Sequence, residues 1–132
     1  MHSYVLMLQT DDEDRFITES TLSEMEYAVP LKFLNETGKL DEYVGQHGLP
    51  SLILLNDSGS ILQKGQLLRQ LKSNPAYGHI PIVVLGEKST DEYIRQSYRA
   101  GASSYITKPS SIKETKKKIG MFFSYWFDVA EV

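Results

Sequence analysis

Five short strand-like runs, three of them continuously apolar, alternate along the chain with segments whose apolar positions recur at helical spacing. The runs are Val5-Leu6-Met7-Leu8, Leu31-Lys32-Phe33-Leu34, Leu52-Ile53-Leu54-Leu55, Ile80-Pro81-Ile82-Val83-Val84-Leu85 and Ser104-Tyr105-Ile106-Thr107. A strand with one wet face alternates apolar and polar residues, whereas a continuous apolar run points to burial on both faces, the pattern of a parallel sheet.

The intervening segments read as helices. From residue 13 to about 27 the apolar residues Phe16, Ile17, Leu22, Met25 and Ala28 recur near helical spacing, behind the capping residues Asp11 and Asp12. Gly38 marks a turn before a short helix over residues 40–44, and Asp57-Ser58-Gly59-Ser60 forms a loop. Residues 61–71 carry Leu67, Leu68 and Leu71 on a stripe that Asn74-Pro75 ends. Ser89 or Thr90 caps a helix with Tyr93, Ile94, Ser97 and Tyr98 on one side, and Gly101 follows its end. Lys108-Pro109 makes a turn, and Ser110 or Ser111 caps a last helix through residue 127, with Ile112, Ile119, Phe122, Phe123 and Trp126 buried or partly exposed. Strand and helix in strict alternation predict an α/β fold: a doubly wound five-stranded parallel sheet with five helices in a three-layer sandwich.

In open α/β sheets, ligand chemistry gathers at the carboxyl ends of the strands. The third run ends on Asn56, where a reactive carboxylate would be useful and an amide is not. Composition narrows the picture further. A chain of 132 residues predicts one domain over residues 1–132, with no output domain. A net charge of −3 disfavours nucleic acid and anionic membranes as partners. The absence of cysteine excludes disulfides and thiolate metal sites. No signal-peptide pattern or membrane-length apolar stretch is present, and a cytoplasmic location is expected.

The stretch from Leu71 through Asn74-Pro75 to Ile80-Pro81-Ile82-Val83-Val84-Leu85, and then Ala100-Gly101-Ala102 leading to Tyr105-Ile106-Thr107-Lys108-Pro109, resembles the receiver domain of two-component response regulators. Pro50 through Leu55 matches the third strand of that family. The resemblance implies a flavodoxin-like topology and aspartyl phosphorylation by a histidine kinase. In that chemistry an Asp ends the third strand, acidic residues after the first strand hold Mg²⁺, and a Thr or Ser and a Lys bind the phosphoryl oxygens.

Carried over residue by residue, the phosphoacceptor position falls on Asn56, the hydroxyl position on Gly86, and the acidic pair on Gln9 and Thr10. Lys108 is retained, as is the aromatic switch position, Tyr105. The spacings from Asn56 to Pro81, from Asn56 to Gly86 and from Gly86 to Lys108 match the family without a gap, so Asp57 comes one place late. A one-residue slip reverses side-chain direction in a strand. Gly65 alone fits the other register, with Asp57 as acceptor and Asp11 as metal ligand.

The remaining features have plainer readings. Asp11-Asp12-Glu13-Asp14 reads as a solvated helix start, Lys108 as an inherited lysine bonded to Asn56 or a loop carbonyl, and Lys116-Lys117-Lys118 as a solvated helix face. His47 and His79 have no ligand-like spacing. Tyr93, Tyr98, Tyr105 and Lys108 mark a switch or interaction face, and the aromatic surplus at residues 122–127 marks another.

The expected function is that of a degenerate receiver, or pseudo-receiver, in phosphorelay signalling. It would be an interaction module rather than an enzyme, with no cofactor or metal. Its partner would be a histidine kinase or another regulator, with a homodimer through the fourth helix, fifth strand and fifth helix as a further expectation. The alternative is an active receiver phosphorylated on Asp57 with Mg²⁺ on Asp11. A small flavodoxin-like enzyme is disfavoured, because no glycine-rich phosphate loop follows the first strand.

Overall fold

The computed structural model describes residues 4–8, 12–25, 30–57, 61–86, 90–108 and 111–128. The strands are β1 (Val5–Leu8), β2 (Leu31–Leu34), β3 (Leu52–Asp57), β4 (Ile82–Gly86) and β5 (Ser104–Thr107). The helices are α1 (Asp12–Glu24), α2 (Leu40–His47), α3 (Ile61–Ser73), α4 (Asp91–Ala100) and α5 (Ile112–Asp128). The chain divides into two units, one from residues 1–10 and 29–107 and one from residues 11–28 and 108–132.

The first unit holds the sheet. Its strands are all parallel, in the order β2-β1-β3-β4-β5. This is the flavodoxin-like order. Leu6, Leu8, Ile53, Leu55, Ile82 and Val84 share one parity and form a core with Leu40, Leu68, Leu71 and Tyr77. The alternate residues Val5, Met7, Leu52, Leu54, Val83 and Leu85 are buried too, as continuous apolar runs require. Each such side chain contributes roughly 1.5–3 kcal/mol by leaving water.

Local chemistry sets the ends of α4. The Thr90 hydroxyl accepts from the Tyr93 N–H at 3.4 Å, and Gly101 closes the helix at φ +123°. A Cβ at Gly101 would strike the Lys72 side chain, so glycine is required there for both its conformation and its size. Lys72 donates to the Ile80 carbonyl at 2.9 Å and the Gly78 carbonyl at 3.4 Å, tying down the turn before β4. Burial lowers its pKa. The Tyr77 hydroxyl donates to the Asp41 carboxylate. Burial first, and then that carboxylate, push its pKa up to about 12.

The second unit pairs α1 with α5. Ile17, Leu22, Ile119 and Phe123 are buried, and Gly120 faces Thr21 and Met25. The buried hydroxyls of Thr18 and Thr21 donate to the Asp14 and Ile17 carbonyls one turn back. On α5, Phe122 stacks on Trp126 and Phe123 on Phe127, each pair one helical turn apart. Among the described residues no helix is long and apolar enough to cross a membrane.

Several expectations need correction. Phe16 is 69% exposed and is not a core residue, while Ile112, expected to be buried or partly exposed, is 54% exposed. Phe16 and Ile17 are adjacent, about 100° apart around a helix, and only Ile17 takes the buried side. Gly38 lies in a turn as expected, a 3₁₀ turn (Thr37–Lys39), but α2 runs on to His47 rather than ending at residue 44. β3 continues through Asp57, so that residue belongs to the ladder rather than to the loop, and β4 begins at Ile82 rather than Ile80.

Candidate functional site

Parallel pairing carries β3 and β4 forward together, with Asn56 opposite Leu85 and Asp57 opposite Gly86. Asn56 has the strand parity of Leu52 and Leu54 and is 1% exposed. No buried side-chain nitrogen or oxygen among the described residues lacks a hydrogen-bond partner, so the Asn56 amide is satisfied. An amide both donates and accepts without charge, which suits a dry position, whereas a carboxylate there would lose its hydration.

Gly86 ends β4 and is buried. Tyr105 enters β5 opposite Val84, one pair earlier on the parity that Gly86 shares. Its ring reaches forward along β4 and lies over Gly86. A Cβ built there would fall 2.6 Å from the Tyr105 Cζ and 3.3 Å from Cε2, and closer still to the hydroxyl. Position 86 therefore accepts no side chain while the ring lies there. The sequence reading took Gly86 only as a lost hydroxyl and missed this fit. The signal for it is the pairing of Val84 with Tyr105, which places the ring one step from a residue with no Cβ.

Two further contacts hold Tyr105. Its ring meets Tyr93 edge-on, with centroids 6.1 Å apart at 76°. Its backbone N–H donates to the Tyr98 hydroxyl at 3.1 Å. Tyr93 is 3% exposed and does not belong to a surface face as expected, whereas Tyr98 is 46% exposed and does. Positions 93, 97 and 100 share the buried side of α4, and position 98 is turned well away from it.

In the second unit, Lys108 Nζ lies 2.8 Å from Asp14 Oδ2, with the side chains only 10% and 13% exposed. This corrects the picture of a uniformly solvated acidic run. Asp14, two residues into α1, is a largely buried ion-pair partner of the lysine that follows β5. Lys116 of the basic run pairs with Glu24 at 2.6 Å in a much more exposed setting. His47 stacks on Tyr43, with centroids 4.3 Å apart, and His79 is exposed.

Gln9, Thr10 and Asp11 lie outside the described residues, as does the side chain of Asp57. Among the described residues no three His, Asp or Glu side chains gather closely enough to hold a metal ion. The structure brings Asn56 and Gly86 to the carboxyl ends of adjacent strands, lays the Tyr105 ring over Gly86, and joins Lys108 to Asp14.

No protein-family model matches the chain. It is 32% identical over 84 residues to histidine kinase P4 of Formosa agariphila, a match covering 64% of this chain and 6% of the kinase. It is 27% identical over 124 residues to response regulator Rcp1 of Synechocystis, covering 94% of this chain and 78% of Rcp1. The crystal structure of a response regulator from Hahella chejuensis matches with a TM-score of 0.82 and 26% identity, covering 98% of this chain and 99% of the other. The chain has the flavodoxin-like receiver fold of that response regulator structure.

Proposed function

We propose that the chain is a receiver-type module of two-component signalling that acts through protein contact and is not phosphorylated. The observation that carries this reading is the buried, hydrogen-bonded Asn56 at the end of β3, where aspartyl phosphate chemistry needs a carboxylate. An amide does not form an acyl phosphate. Gly86 offers no hydroxyl to a phosphoryl oxygen, and Lys108 already has a carboxylate partner. The partner would be a histidine kinase or another regulatory protein, in keeping with the kinase and response regulator that the chain resembles. The exposed Tyr98 belongs to the surface that would meet it.

One observation favours a second reading. β3 carries Asp57 into the ladder opposite Gly86, so a carboxylate-bearing residue does reach the strand end. Under that reading Asp57 takes the phosphoryl group and Asp11 helps hold Mg²⁺, supplying oxygen ligands to a hard cation. Incubation with acetyl phosphate and Mg²⁺, followed by intact-mass measurement, separates the two. An unchanged mass is expected. A stoichiometric, hydroxylamine-sensitive gain of one phosphoryl group overturns the leading reading. Loss of that gain in Asp57→Ala, but not in Asn56→Ala, assigns it to the displaced acceptor.

A further inference from the structure

We propose that Gly86 and Tyr105 form a steric lock that keeps the α4–β5 face in one conformation without any phosphoryl group. The lock has three parts, all within the sheet-bearing unit. The ring of Tyr105 occupies the volume that any side chain at position 86 would need. Its edge packs on the buried Tyr93. Its backbone N–H is engaged by the hydroxyl of the exposed Tyr98.

Rotating the ring away would uncover Gly86, forfeit the contact with Tyr93, and leave a void that glycine cannot fill. Cavities of that kind are costly because the surroundings relax only partly. The resemblance places a hydroxyl-bearing residue at position 86, and such a residue would compete with the ring for the same volume. Glycine removes the competitor. Tyr105 then has one favourable place, and Tyr98, bonded to its backbone, is displayed in one arrangement. A partner would meet the same surface at all times, a conformation selected by the sequence rather than by a modification.

The proposal rests on the reading above in one respect, namely that no phosphoryl group arrives to compete, but the ring position can be measured without any donor. Nuclear Overhauser contacts between the Tyr105 ring protons and the Gly86 Hα protons are expected in the wild-type protein. They should be unchanged by acetyl phosphate and Mg²⁺. Absent contacts, or two sets of Tyr105 ring signals, overturn the lock. Gly86→Ala should lower Tm by about 5 °C in the wild-type background, and by less than half as much when Tyr105 is already Ala. Equal losses in both backgrounds also overturn it. If Gly86→Ala does not fold, the wild-type contacts still decide. Phosphoryl labelling with the contacts intact would strike the proposed function and leave the lock standing; no labelling with the contacts missing would do the reverse.

Discussion

Near the carboxyl end of β3 the buried polar group is a neutral amide, Asn56, and at the end of β4 a tyrosine ring lies over Gly86. In the α1–α5 unit a largely buried cation and anion lie 2.8 Å apart. Both places involve positions that the receiver resemblance assigns to phosphoryl chemistry. Asn56 is neutral and hydrogen-bonded. Lys108 has kept its charge and directs it at Asp14. The difference teaches two ways of keeping a polar group out of water: a neutral group stays buried at little desolvation cost, whereas a charge needs a counterion. An anion that recruits Lys108 has to compete with Asp14.

The largest expected effect comes from breaking the charged member of this contrast. Asp14→Ala leaves Lys108 largely buried beside a lost carboxylate and should destabilise the protein by about 3–4 kcal/mol in urea unfolding. Adding Lys108→Met should recover part of that loss, because the two changes share one interaction. A loss below about 1 kcal/mol for Asp14→Ala would mean that the pair behaves like a surface bridge.

Next in size is the introduction of charge into the neutral member. Asn56→Asp should cost about 2–3 kcal/mol at pH 7, because burial opposes the ionised carboxylate. Its sign with pH follows from linkage. Burial raises the folded-state pKa, so the folded protein binds the proton more tightly than the unfolded chain. The variant is therefore relatively more stable in acid and loses ground as pH rises through the raised value. A deficit that does not change between pH 5 and 8 would show that a compensating cation reaches position 56, and the contrast would fail.

Tyr77→Phe provides a smaller control within the same unit as Asn56, removing a neutral donor from the Asp41 carboxylate. A loss of about 1 kcal/mol at pH 7 is expected. Because the hydroxyl's pKa is raised from 10.0 to about 12, its contribution is complete below pH 10 and disappears as pH climbs toward 12. Urea midpoints recorded across that window should fall less steeply in the variant than in the wild type. The smallest effect belongs to Glu24→Gln. Its bridge to Lys116, like the Asp14–Lys108 pair, anchors α1, but the Glu24 side chain is 66% exposed. A change of about 0.5 kcal/mol or less, shrinking with added salt, would attribute the strength of the other pair to burial rather than to helix identity.

Much of the fold was legible because burial on both faces writes continuous apolar runs into the sequence, and because Thr90, Gly101 and Ser111 act on backbone groups close to them in the chain. Asn56 was legible for the same reason, as the residue that closes the third run. Phe16 and Tyr93 were misjudged because a few apolar residues on a short helix do not define which side is covered. Tyr93 and Tyr98 are five positions apart, about 140° around the helix, and only one can face inward. Asp14 was misjudged because an acidic first turn is common on any exposed helix, and nothing local distinguishes the one carboxylate with a distant partner.

The sequence by itself determined the order of the elements, the parallel character of the sheet, and the placing of an amide and a glycine at the ends of β3 and β4. These features follow from periodicity and capping, which act over a few residues. Only the tertiary structure decided that the space left by Gly86 belongs to Tyr105, and that Lys108 pairs with a residue 94 positions away. Both outcomes depend on strand register and side-chain direction in three dimensions. No local pattern encodes which of many tyrosines fills a missing side chain, or which of many carboxylates meets a buried lysine.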